Sequence, residues 1–138
     1  MAFRIRAALE HRHLAIDLVS TLVAHVPDAD SSFRHELITA FGEAFNNIVI
    51  HGYRDRDDGI LDVEAELAPD HITLHLKDEG QEVDFAGLRP PDLQSMPEGG
   101  LGVFMIHALV DEVVYRGGKP NVLSLTKRTA VASPNDGH

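Results

Sequence analysis

Apolar residues along the chain fall either into short alternating runs or into four-residue periods, which separates strands from helices directly. FRIRAAL, residues 3 to 9, alternates apolar and polar side chains and predicts a half-buried strand. From Leu14 the apolar positions Leu14, Leu18, Leu22 and Val26 recur every fourth residue, with Ile16, Val19 and Val23 widening the stripe, until Pro27 ends the helix. DADSS at 28–32 then offers side-chain oxygens to the free amides of a second helix. In that helix Phe33, Leu37, Phe41, Ala44, Phe45 and Ile48 form the core stripe, and Gly52 is placed to cap its C-terminus.

RDRDDG at 54–59 is a polar turn, and ILDVEAEL (60–67) and HITLHLKD (71–78) are alternating strands that predict an antiparallel hairpin across APD. Residues 80–100 contain Pro90, Pro91 and Pro97 and little periodicity, so they predict a long loop with one short helical turn near Phe85 to Leu88. Loops of that length in small domains often serve as lids. LGVFMIHALV (101–110) predicts a helix, EVVYRG (112–117) and NVLSLTKR (121–128) two closing strands around GKP, and 129–138 a frayed tail. The order predicts an α+β fold, a two-layer sandwich with helices packed on one face of a mostly antiparallel sheet, as a single domain over 1–128. Internal repeats and low-complexity segments are absent from the sequence.

Composition narrows the function classes. With 43% apolar and 25% charged residues in 138, the chain has an ordinary globular make-up. It contains no apolar run near the roughly 18–20 residues that span a bilayer. MAFRIRAALEHRHLAIDLVS lacks the features of a secretory signal and there is no cysteine, so a cytoplasmic setting without membrane contact is expected. A net charge of −10, from 12 basic and 22 acidic residues, argues against direct nucleic-acid binding and suits a basic protein partner. Nine histidines invite a metal reading, with His11/His13 and His71/His75 on common faces, but zinc-ligand spacing is missing and most are expected to be solvated. Met96, Met105 and the phenylalanines are expected to pack in the core or under the lid.

Three stretches carry candidate chemistry. In GEAFNNIVIHGY, residues 42–53, a polar stripe of Glu43, Asn47 and His51 runs along an otherwise apolar helix at four-residue spacing. An amide carbonyl at Asn47 suits a hard cation such as Mg²⁺, and a carboxylate one turn away is placed to take a proton from a hydroxyl. His51, at the helix end, either orients this site or caps the helix. In KDEGQEVD, residues 77–84, Asp78 ends a strand, where its carboxylate is able to accept from an exocyclic amine such as that of adenine, and Gly80 allows a ring to approach the backbone. In EGGLGVFMI, Gly99, Gly100, Leu101 and Gly102 lead into a helix start, a backbone nest for phosphate, with neither the Walker A nor the Rossmann spacing. Singly, the first two also fit a solvated helix face and an ordinary turn.

Together and in this order, the three stretches resemble the nucleotide-binding boxes of the GHKL ATPase superfamily, and more closely its anti-sigma-factor serine kinases. The resemblance runs from the first strand to LSLTKR, and its most specific part is EAFNNIVIHGY, which is similar to the family's E-A-x-x-N-x-x-x-H-G-Y box. It implies a GHKL (Bergerat-type) ATP-binding fold. It also implies Glu43 as general base, Asn47 as Mg²⁺ ligand, Asp78 as the adenine-binding carboxylate followed by Gly80, and Gly100 and Gly102 as phosphate-binding glycines, with ATP and Mg²⁺ as cofactors. The implied function is an anti-sigma factor that binds an RNA polymerase sigma factor and phosphorylates a serine or threonine of an anti-anti-sigma (STAS-type) protein, as a homodimer. Two departures stand out. Glu82 replaces the second glycine of D-x-G-x-G, adding a negative charge expected to weaken nucleotide binding. Pro120-Asn121 replaces the usual Gly-Thr, leaving the Asn121 amide to stand in for the hydroxyl. The alternatives are a regulatory module of this fold that has lost catalysis, and a histidine-kinase catalytic domain.

Overall fold

The computed structural model describes residues 1–54, 56–86 and 100–129. In chain order it contains β1 (Ala2–Arg6), α1 (Arg12–Val23), α2 (Ser31–Asn47), β2 (Ile60–Leu67), β3 (His71–Asp78), α3 (Gly100–Leu109), β4 (Glu112–Arg116) and β5 (Asn121–Arg128). The strands form one sheet in the order β1-β2-β3-β5-β4, with every neighbouring pair antiparallel. Among the described residues no helix is long and apolar enough to cross a membrane.

Alternation explains the two layers. Leu61, Val63 and Ala65 of β2, Ile72, Leu74 and Leu76 of β3, and Leu123 and Leu125 of β5 are buried and share a core with Leu37, Phe41, Ala44, Phe45 and Ile48 of α2. Their sequence neighbours occupy the open face, where cross-strand polar pairs form. There Arg4 meets Asp62 at 2.7 Å, Lys77 meets Glu64 at 3.1 Å, and Thr73 and Thr126 share a 2.9 Å hydrogen bond. Asp30 caps α2, its Oδ1 accepting from the Phe33 amide at 2.7 Å, as the DADSS stretch predicts.

Four expectations need correction. The first strand ends at Arg6 instead of residue 9, and Leu9 begins a single 3₁₀ turn (Leu9–His11) with its side chain 51% exposed. In α1 the buried face is Ala15, Val19 and Val23, while Leu14 is 50% exposed and Leu18 only half-buried. Both stripes have helical spacing in the sequence. The small Ala15 side chain lets α1 lie close to α2, where Gly42 meets Arg12 and Ile16. Gly52 is not a left-handed cap: α2 runs on through a wider π-type turn (Ile48–Gly52), and the next residue, Tyr53, has φ −100°. Phe85 and Ala86 have no regular structure, and the rest of the expected turn to Leu88 lies outside the described residues, as do Met96 and residues 130–138. Thr129, at the start of the expected tail, is buried, and its amide donates to the Asp70 carbonyl at 2.9 Å.

Because Val19 is sealed and Leu14 is not, Val19→Ala is expected to cost roughly 1–3 kcal/mol of unfolding free energy and Leu14→Ala about 0.5 kcal/mol or less. Urea denaturation of the two variants checks this, and equal losses would contradict the docking of α1.

Candidate functional site

The polar stripe of α2 is held by the helix itself. Asn47 is 5% exposed, and its Nδ2 donates to the Glu43 carbonyl at 2.9 Å. A carbonyl only accepts, so the amide orientation is set and Oδ1 faces away; among the described residues no group donates to it. The Glu43 side chain is half-buried beside it. The start of α3 presses on both, since a Cβ at Gly102 would lie 2.7 Å from Glu43 Oε2 and 3.3 Å from Asn47 Nδ2. Gly100, Leu101 and Gly102 are the first three residues of α3, so their amides precede its first internal hydrogen bond and form a donor cluster at the positive helix end. Gly99 lies outside the described residues. His51 sits half-buried in the π-type turn, and among the described residues its ring makes no hydrogen bond.

A second cluster lies at the other end of this helical segment. Asp78 closes β3 at 3% exposure, its Oδ1 accepting from the Gly80 amide at 2.9 Å and from Asn121 Nδ2 at 3.0 Å. Burial pushes its carboxyl above the usual aspartate range, the hydrogen bonds from Asn121 and Gly80 pull it back, and the Glu79 charge adds to the rise. Asn121 is fully buried, its Nδ2 also donating to the Gly80 carbonyl at 2.9 Å and its Oδ1 accepting from the Gly118 amide at 2.8 Å. Its amide is therefore engaged on every side, and it reaches the site only by holding Asp78. Gly118 carries the one positive glycine φ among the described residues, +152°, so the backbone freedom missing at Pro120 is found two residues earlier.

Tyr53, the last residue of the α2 motif, joins the clusters. It is 1% exposed, its hydroxyl donating to the Ile60 carbonyl at 2.6 Å and accepting from the Glu79 amide at 2.7 Å. Burial is the main cause of its raised pKa. Glu82 is exposed and folds across Gly117, where a Cβ would coincide with its carboxylate, so its charge is drawn toward the β4–β5 turn. The segment that follows is fastened twice. Val83 donates its amide to the Tyr115 hydroxyl at 3.0 Å, and His107 Nε2 donates to the Phe85 carbonyl at 2.6 Å. The Phe85 ring, 2% exposed, lies 5.0 Å from that of Tyr115. A cavity of about 590 Å³ between this segment, His107 and Val113 touches neither Glu43, Asn47 nor Asp78, so it lies beside the site.

The structure thus brings Glu43, Asn47 and Gly102 together, and Asp78, Gly80 and Asn121 together. Sequence reasoning left Tyr53 without a role although it sits in the quoted motif. It missed Tyr115 and His107, which meet the 82–86 segment only through tertiary packing.

Comparison with known proteins bears on the family and the fold. The family profile described as "Histidine kinase-like ATPase domain" matches residues 5–127. The chain is 31% identical over 86 residues to the serine-protein kinase RsbW of Oceanobacillus iheyensis, covering 56% of this chain and 54% of the relative. It is 31% identical over 91 residues to the anti-sigma F factor of Clostridium beijerinckii, covering 63% of this chain and 64% of the relative. The matched stretch is thus less than two thirds of either relative. The solved structure of the RsbU and RsbW domains of Rv1364c from Mycobacterium tuberculosis superposes with a TM-score of 0.66 at 23% identity, covering 93% of this chain and 32% of that one, a likeness of fold.

Two measurements follow from the second cluster. Tyr53→Phe strands a buried amide and a buried carbonyl and is expected to lower stability by about 1–3 kcal/mol in a denaturant titration. Asp78 is protonated more readily in the folded than in the unfolded chain, so its contribution to stability falls as pH rises from the unfolded aspartate pKa through the raised folded one. Asp78→Asn is expected to remove that slope from a pH series of unfolding curves while keeping both Oδ1 hydrogen bonds; an unchanged slope would contradict the raised pKa.

Proposed function

The chain belongs to the histidine kinase-like ATPase domain family, and from that premise we propose that it is an ATP-dependent anti-sigma factor with protein serine/threonine kinase activity. The observation that carries the proposal is the Asn47 amide, held by the Glu43 carbonyl with Oδ1 unengaged among the described residues, one turn from a carboxylate and against the amide-rich start of α3. These groups suit a nucleotide and its metal. Among the described residues no three acidic or histidine side chains gather around a common point, so an ion here would take few protein ligands and most of its oxygens from phosphate and water. At 80 and 102 a Cβ would strike the Gly52 carbonyl and the Glu43 carboxylate, so glycine at both positions lets the elements that carry these groups approach.

In this reading Asp78 accepts a hydrogen bond from the adenine amine, with Asn121 positioning it, and the first amides of α3 bind phosphate oxygens. Asn47 Oδ1 holds Mg²⁺, which when bound neutralises phosphate charge. Glu43 takes the proton of the attacking serine or threonine hydroxyl. The acceptor is an anti-anti-sigma (STAS-type) protein and the competing partner a sigma factor, as the names of the relatives suggest. A net charge of −10 fits a basic surface on one of them. Homodimer formation and a cytoplasmic setting belong to the same reading. The course of Glu82 across Gly117 favours retained nucleotide binding over a module that has lost it.

Calorimetry with ATP, with and without Mg²⁺, tests the proposal. Asn47→Ala is expected to weaken Mg·ATP at least about tenfold. Glu43→Gln should keep nucleotide affinity and slow phosphoryl transfer by about 10²-fold or more. Absence of Mg²⁺-dependent ATP binding in the native chain would overturn the reading.

A further inference from the structure

We propose that Arg12 is a further phosphoryl-contacting residue, a guanidinium built into the α1–α2 seam over Gly42, one residue before Glu43 in the chain, that turns to hold the γ-phosphoryl group as it passes to the acceptor hydroxyl. The inference rests on the kinase reading above and deepens it. Arg12 opens α1, and its head lies over Gly42, the residue before Glu43 on α2. A Cβ at Gly42 would stand 2.5 Å from Arg12 Nη2, 3.4 Å from Cζ and 3.6 Å from Ile16 Cδ1. The arginine head therefore occupies the space that a side chain at 42 would take.

The guanidinium is held without being paired. Among the described residues Arg12 Nε is buried with no hydrogen-bond partner, and no ion pair within 4.0 Å engages the side chain. Arg4, Arg56 and Arg128, by contrast, meet Asp62, Asp58 and Glu112 in open surface pairs. Native structures keep few buried donors unsatisfied, and those that persist call for a reason. Asn46, one turn along the same face of α2 as Gly42, leaves its Oδ1 buried and unpartnered, an acceptor available to Nε when the head re-seats on a ligand. A planar fork packed on a glycine, with no ion pair among the described residues, suits an oxyanion with several equivalent oxygens.

Charge gives the arrangement its use. Glu43 must be ionised to take a proton, and its carboxylate then repels the phosphoryl oxygens approaching the same mouth, in a chain of net charge −10. A guanidinium packed on the preceding residue, Gly42, offsets that repulsion once it turns toward the phosphoryl group. In the step, the bond from the γ-phosphorus to the bridging oxygen breaks with its electron pair leaving on ADP, and the bond from phosphorus to the acceptor oxygen forms. The hydroxyl proton goes to Glu43, and Arg12 gives up no proton while its N–H groups hold the phosphoryl oxygens.

The test uses the full chain and Mg·ADP, with and without aluminium fluoride as a mimic of the phosphoryl group in flight. The native chain is expected to bind Mg·ADP more tightly with fluoride present. Arg12→Gln should lose about tenfold or more of that gain, with fluoride-free Mg·ADP affinity changed by no more than about twofold, and Arg12→Lys should recover part of it. Gly42→Ala separates function from folding. Its methyl group displaces the flexible arginine head and improves helix propensity, so it should melt no earlier than the native chain yet lose the same gain. Retention of the native gain in both Arg12→Gln and Gly42→Ala overturns the role of Arg12 and leaves the kinase reading standing. Native Mg·ADP binding without a fluoride gain likewise overturns the inference alone, whereas no Mg·ADP binding at all removes the kinase reading and the inference with it.

Discussion

The carbonyl of Gly52 is where the helical layer and the sheet meet at backbone distance, and the geometry of the site depends on that contact. The Gln81 amide donates to it at 2.7 Å, and Gly80 lies so near that a Cβ would be 2.5 Å from the same oxygen. Neither side is a flexible side chain able to move away, so any residue but glycine at 80 would force the end of α2 from the end of β3. That contact sets Asp78 relative to Asn47. Tyr53 repeats the constraint through one hydroxyl that serves both Ile60 and Glu79, and Asn121 completes it from β5. The three boxes are thus parts of one joint between helix and sheet.

On the proposed function, an acidic chain must place its positive potential with care to hold phosphate. Here most of it comes from backbone amides and helix polarity at the start of α3, which supply attraction without further lysines or arginines. The buried Asp78 is a negative charge in the same region, and its raised pKa records the cost of removing it from water. Glu82, the substitution most threatening to an anionic ligand, lies along the β4–β5 turn because Gly117 leaves it a path. Gly117 thereby accommodates that departure from the family pattern.

The segment after Gly80 is held as firmly as a strand edge, although it has no regular structure. Tyr115 from β4 and His107 from α3 each take one of its backbone groups, and Phe85 is inserted beneath it. Because α3 carries both His107 and the glycines at 100 and 102, the base of this segment and the candidate phosphate site ride on one rigid element. A shift of α3 would therefore reach both at once.

The sequence by itself determined the order and kind of the five strands and three α-helices, the α+β class and the antiparallel hairpins. These are written in alternation, four-residue periods and turn residues, which are properties of near neighbours. It also identified Glu43, Asn47 and Asp78 as candidates, because spacing on one helix or at one strand end is local. Only the tertiary structure decided that α1 buries Ala15 and leaves Leu14 exposed, that Gly52 serves a close approach and not a cap, that Asn121 holds Asp78, and that Arg12 lies on Gly42. Each of these depends on which surfaces meet after the sheet closes. Two stripes of equal helical quality become unequal only when a neighbour arrives, and a glycine shows why it is needed only when the atom filling its missing side chain is in place.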